Sequence, residues 1–95
     1  MHLRFSDTAE RDLDAIYNHI AKENPAAAQR IVDSLLSAAY QLENFPFLGR
    51  EGRVPQTREL SVPRTPYYLV YTLPDDYHID VETIIHERQQ FPAGG

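Results

Sequence analysis

The sequence has no cysteine, no tryptophan and a single methionine in 95 residues. Without cysteine there is no disulfide framework, no thiolate metal site and no thiol nucleophile. Such a chain suits a reducing compartment, and the cytoplasm is the expected location. No apolar run approaches the roughly 18 residues that a membrane span requires, so no membrane association is expected. The opening MHLRFSDTAERD carries no apolar signal core and passes straight into patterned sequence. A glycine-rich phosphate loop and a serine elbow are both missing, which leaves nucleotide binding and acyl transfer without support. The histidines His2, His19, His78 and His86 do not pair at ligand spacing. Neither a metal nor any other cofactor is expected.

What is present fits one domain with a modest core. The net charge of −5 argues against a general polyanion binder, but the charge is unevenly spread. Residues 1–49 hold four basic and seven acidic side chains. Residues 50–71 reverse the balance, with Arg50, Arg53, Arg58 and Arg64 against Glu51 and Glu59. Residues 72–95 hold one arginine, Arg88, against five carboxylates. The middle stretch is therefore the candidate surface for gripping phosphates or an acidic peptide. The alternative is that its arginines are simply solvated.

Apolar periodicity organises the rest. His2–Phe5 alternates polar and apolar and predicts a short strand. Asp7-Thr8-Ala9-Glu10 has capping-box spacing, with Ser6 as an alternative cap. Ala9, Leu13, Ile16, Tyr17 and Ile20 then recur at helical spacing, and Glu10, Arg11, Asp12, Asp14 and Asn18 form the wet face. That helix is expected to stop near Glu23. Asn24-Pro25 restarts the chain as cap and first helical residue. The second helix carries Ala28, Ile31, Val32, Leu35, Leu36, Ala39 and Leu42 on one stripe and ends near Asn44, ahead of Phe45-Pro46.

Phe45–Gln56 is expected to be a flexible loop that delivers Arg50 and Arg53. Thr57–Val62, Tyr67–Leu73 and Ile79–His86 predict three strands, separated by the hairpin Pro63–Pro66 and the turn Pro74-Asp75-Asp76. In the last strand, alternation places Ile79, Val81 and Ile85 on one face, and Asp80, Glu82, Ile84 and His86 on the other. The tail from Arg88 onward is expected to be poorly ordered. The order β-α-α-β-β-β predicts an α+β domain over residues 1–95, with a helical hairpin covering one face of a curved antiparallel sheet of about four strands. The four arginines are expected to gather on the opposite side.

An Arg/His/Glu set remains that could cleave RNA without a metal. The reaction needs a base for the 2′-hydroxyl, an acid for the leaving oxygen and cations for the phosphorane. His86 and Glu51 fill the acid and base roles in that scheme, and Arg58, Arg88 and their neighbours supply the clamp. Tyr67, Tyr68 and Tyr71 offer rings for base stacking. Each also has a plain reading: a half-buried histidine at a strand end, a solvated glutamate, and core tyrosines.

The chain resembles the RelE/ParE superfamily of toxins from prokaryotic type II toxin–antitoxin systems over about residues 3–91. The resemblance rests on Ala9–Ile16, on the loop Phe45-Pro46-Phe47-Leu48-Gly49-Arg50, on Thr57–Leu60, on Tyr67–Tyr71 and on Ile84-Ile85-His86. It implies a two-helix hairpin on an antiparallel sheet. It also implies a growth-inhibiting toxin of plasmid-stabilisation type, neutralised by a cognate antitoxin and able to form a homodimer or a heterotetramer with it. Two targets follow from the resemblance: ribosome-bound mRNA, cut as in the RelE branch, or a protein such as DNA gyrase, as in the ParE branch. Arg58 matches one basic position of the RelE branch and Arg88 lies near another. Leu60 and Tyr68 fall where that branch carries basic side chains. The first helix and the Ile84-Ile85-His86 ending look more like the ParE branch. A third implied outcome is a member that keeps antitoxin binding but poisons nothing.

Overall fold

A computed structural model describes residues 1–93. Its elements run β1 (His2–Phe5), α1 (Asp7–Ala21), α2 (Pro25–Gln41), β2 (Arg50–Glu51), β3 (Thr57–Ser61), β4 (Tyr67–Thr72) and β5 (His78–His86). The sheet order is β1-β5-β4-β3-β2. The fold is the expected α+β arrangement of a helical hairpin on a sheet, with two differences. The loop after α2 contributes a two-residue edge strand, which brings the strand count to five. The sheet is also mixed, because β1 runs parallel to β5 while the other neighbours are antiparallel. No helix among the described residues is long and apolar enough to cross a membrane.

The helix caps follow side-chain chemistry. Ser6, in extended conformation, caps α1 by accepting a hydrogen bond from the Ala9 N–H at 3.0 Å. The same hydroxyl donates to the Glu82 carbonyl at 2.6 Å, so this cap also ties the helix to β5. Asp7 is the first helical residue rather than the cap, and its carboxylate sits where the helix dipole favours it. Asn24 caps α2 ahead of Pro25, as the sequence predicts.

The core lies between the helices and one face of the sheet. Leu35, Ala38, Ala39 and Leu42 meet Val62, Leu69, Tyr71, Ile79, Val81 and Ile84 there. Burying apolar area at about 25 cal/mol per Å² is the main stabilising term. A smaller cluster of Tyr68, Val70 and Ile85 occupies the other face, with Phe91 packed on it. The tail is thus not loose over its described part. Phe91 finds apolar partners, and the Gln89 N–H donates to the His86 carbonyl at 2.8 Å. Residues 94–95 lie outside the described residues.

The two clusters correct the face assignment of β5. Pairing runs Val70 to Thr83 and then Tyr71 to Val81, which leaves Glu82 as an extra residue in the strand. This β-bulge flips the parity of everything beyond it. Ile84 joins Ile79 and Val81 under the helices, and Ile85 turns to the other face. Strict alternation predicts the reverse.

Candidate functional site

The open face of the sheet is built around a buried carboxylate. Glu59 lies on β3 opposite Arg50 of β2 and Val70 of β4, and its side chain is 2% exposed. Three donors surround it: the Arg53 N–H at 3.0 Å, the Arg53 Nε at 3.5 Å and the Arg50 guanidinium at 3.4 Å. A carboxylate out of water requires such partners. The two arginines keep much of their surface in solvent, with side-chain exposures of 70% for Arg50 and 47% for Arg53. They form a cationic mouth over a buried anion.

Tyr68 lies beside this mouth. The Arg53 guanidinium carbon stands 5.3 Å from its ring centroid. The Phe91 ring meets it edge-on at 6.5 Å. The Arg53 guanidinium also donates to the Phe91 carbonyl at 3.4 Å. The Tyr68 hydroxyl is buried and has no hydrogen-bond partner among the described residues. Burial pushes it above the ordinary tyrosine value, and the Arg53 charge pulls part of that back. The group is therefore a protonated donor at neutral pH.

The other arginines do not join this patch, which corrects the expected gathering of four. Arg58 pairs with Tyr71 and has the parity of the helix-covered face. Its guanidinium donates to the Gly49 carbonyl at 3.0 and 2.6 Å, reaches the Phe47 carbonyl at 3.4 Å and stacks over the Phe47 ring. It clamps the loop. Arg64 sits in the β3–β4 hairpin with a positive φ of 66° and borders a groove beside Asp33 and Ser34 of α2. Arg88 lies beyond β5 with its side chain exposed.

The loop 45–56 is not a flexible tether. The Tyr71 hydroxyl donates to the Pro46 carbonyl at 2.7 Å and accepts from the Gly49 N–H at 3.0 Å. The Gly52 N–H donates to the Thr57 carbonyl at 2.8 Å. A Cβ on Gly49 would meet the Glu59 carbonyl and the Tyr71 ring at 2.8 Å, so glycine permits the close approach. Phe45, Phe47 and Leu48 remain exposed on this anchored loop.

The proposed acid and base lie far apart. Glu51 pairs with Arg58, and Arg58 with Tyr71, whereas His86 pairs with Tyr67. That is about 13 Å along the strands, with further strands between them across the sheet. The His86 Nδ1 accepts the Arg88 N–H at 3.0 Å, which places its remaining proton on Nε2. The tyrosines offer no stacking platform either: Tyr71 and Tyr68 are buried, and Tyr67 is half-buried against the His86 ring.

Some contributors leave little trace in the sequence. Glu59 reads as an exposed strand residue, and Phe91 sits in a polar tail. The one available signal is Glu59 lying within nine residues of both Arg50 and Arg53.

Comparison with known proteins adds a family. The model of the family described as ParE toxin of the type II toxin–antitoxin system parDE matches residues 3–91. The protein named "Putative toxin Y4kP" from Sinorhizobium fredii (strain NBRC 101917 / NGR234) is 37% identical over 90 residues, covering 95% of this chain and 92% of that one. A solved structure of the chromosomal ParDE system from P. aeruginosa superposes with a TM-score of 0.80 at 27% identity, over 90% of this chain and 95% of that chain. The toxin–antitoxin complex RelBE2 from Mycobacterium tuberculosis gives a TM-score of 0.63 at 26% identity, over 90% and 95%.

Proposed function

We propose, given that the chain belongs to the ParE toxin family of type II toxin–antitoxin systems, that it arrests growth in the cytoplasm by binding a protein target such as DNA gyrase. A cognate antitoxin neutralises it. One observation carries the preference for a binding mechanism over RNA cleavage: the residues required for cleavage are dispersed and occupied. Glu51 and His86 lie at separate corners of the sheet, the His86 Nδ1 is taken by a backbone amide, and the Arg58 guanidinium is spent on the Gly49 and Phe47 carbonyls. General acid–base catalysis needs its groups within hydrogen-bond reach of one substrate. A protein-binding inhibitor needs only a shaped surface; the paired Arg50 and Arg53 on the open face supply charge, and the exposed Phe45, Phe47 and Leu48 of the loop before β2 supply apolar area.

The antitoxin partner follows from the family and from the solved relatives, which are toxin–antitoxin systems. The test is induction of the chain in growing cells, with message integrity and the DNA-damage response read in parallel. Arrest with intact messages and induced damage response is the expected result, relieved by co-expression of the antitoxin. Ribosome-dependent cutting of messages, lost in Arg58→Ala with His86→Ala, would overturn it in favour of the nuclease. Normal growth would leave antitoxin binding as the remaining role.

A further inference from the structure

Apolar side chains exposed singly need no explanation, but a cluster of them does. In the loop before β2, Phe45 is 63% exposed, Phe47 70% and Leu48 50%. The backbone beneath them is fixed. Tyr71 and Arg58 together bond the Pro46 carbonyl, the Phe47 carbonyl and both backbone groups of Gly49, and the Leu48 N–H closes a turn on the Phe45 carbonyl at 3.1 Å. The Arg58 guanidinium carbon stands 5.3 Å from the Phe47 ring centroid, so one face of that ring rests on a cation. An exposed ring on a fixed backbone has little conformational freedom left to lose on binding, which is the property of an interface anchor. Beside Phe47 lies a groove of about 600 Å³ with Pro46, Leu73 and Pro74 as apolar walls and Asp75 and Asp76 at its border.

Resting on the reading that the chain binds a protein target, we propose that this loop and groove are where the target is gripped, with Phe47 as the anchor and Arg58 as the residue that positions it. The occupant is a segment of the target whose apolar side chain packs on Phe47 and fills the groove, next to a lysine or arginine that pairs with Asp75 and Asp76. Charge selects that occupant. The two carboxylates face the His78 ring, bonded to Asp75 at 2.8 Å, and the Met1 ammonium, which donates to the Glu43 carbonyl at 3.2 Å. Asp76 has no cation among the described residues within ion-pair distance. A second copy of the chain does not fit, because a two-fold contact here would set Asp75 and Asp76 against their own counterparts in a molecule of net charge −5.

The test is growth arrest by the induced full-length chain, comparing wild type with Phe47→Ala and Asp76→Lys at matched cellular levels. Urea unfolding and titration of each purified chain with the protein encoded by the adjoining antitoxin gene accompany it. Both side chains are exposed, so unfolding and antitoxin affinity should stay close to wild type, within about twofold for the affinity. Arrest by Phe47→Ala should require at least about tenfold more protein, the effect of truncating an anchor. Asp76→Lys should require a few-fold more, because its new charge repels the cation of the target. Arrest at wild-type levels by either variant overturns this proposal alone. So does an equal loss of antitoxin affinity, which would make the loop a seat for the antitoxin. A wild-type dimer in sedimentation that Phe47→Ala splits also overturns it, since the loop would then join two copies. Absence of arrest by the wild-type chain, or arrest through cut messages, overturns the target reading together with this proposal.

Discussion

At Asp12 a carboxylate assigned by periodicity to the wet face of a helix turns out to be bound inward. It accepts from the Thr83 hydroxyl at 2.6 Å and from the Ile84 N–H at 3.0 Å. Both partners lie just beyond the bulge residue Glu82. Asp12→Ala is therefore expected to cost about 1–3 kcal/mol in urea unfolding, more than an exposed helical substitution would. Gly49 makes a second case. Gly49→Ala places its methyl against the Glu59 carbonyl and the buried Tyr71 ring, so the loop must shift. A loss of about 1–3 kcal/mol is expected by the same measurement, as for other overpacked sites. Neither role can be read from a residue's neighbours in sequence. Asp12 and Ile84 are 72 residues apart, and the groups a Gly49 Cβ would meet include Tyr71, 22 positions on.

Among the elements, β4 was the most legible and β5 the least. A run of aromatic and branched residues suits a central strand, and the interior of β4 is buried on both faces. In β5 the bulge exchanges the faces of Ile84 and Ile85, and alternation carries no mark of it. The β4–β5 turn makes a prediction of its own. Hydrogen bonds from the Tyr77 N–H and the His78 ring, with a further one from the His78 N–H, hold the Asp75 carboxyl below the ordinary aspartate value of 3.8. Folding thus favours its ionised form. The stabilisation is complete above the ordinary value and is lost as pH falls through the lowered one. The Tyr77 and His78 amide resonances should titrate together below pH 3.8, and Asp75→Asn should abolish that transition.

For the whole molecule, the arrangement of charge matters more than its sum. The net charge is −5, and of the arginines at 50, 53, 58 and 64 only Arg50 and Arg53 are joined in one patch among the described residues, so this stretch offers no continuous basic surface for a nucleic-acid backbone. Unstructured RNA is expected to bind weakly at physiological salt in a filter or anisotropy assay. Tight binding that falls steeply with salt would contradict this. The helical hairpin, the Asn24 cap ahead of Pro25, the strand order along the chain and the family were all legible in the residues, because each depends on contacts between near neighbours or on a repeating apolar period. Tertiary structure alone placed β1 beside β5, buried Glu59 between two arginines, sent Arg58 to the loop carbonyls and laid Phe91 over Tyr68. Those outcomes depend on which distant segments become neighbours in the sheet and which residue is left over in a bulge, and periodicity along a chain carries no information about either.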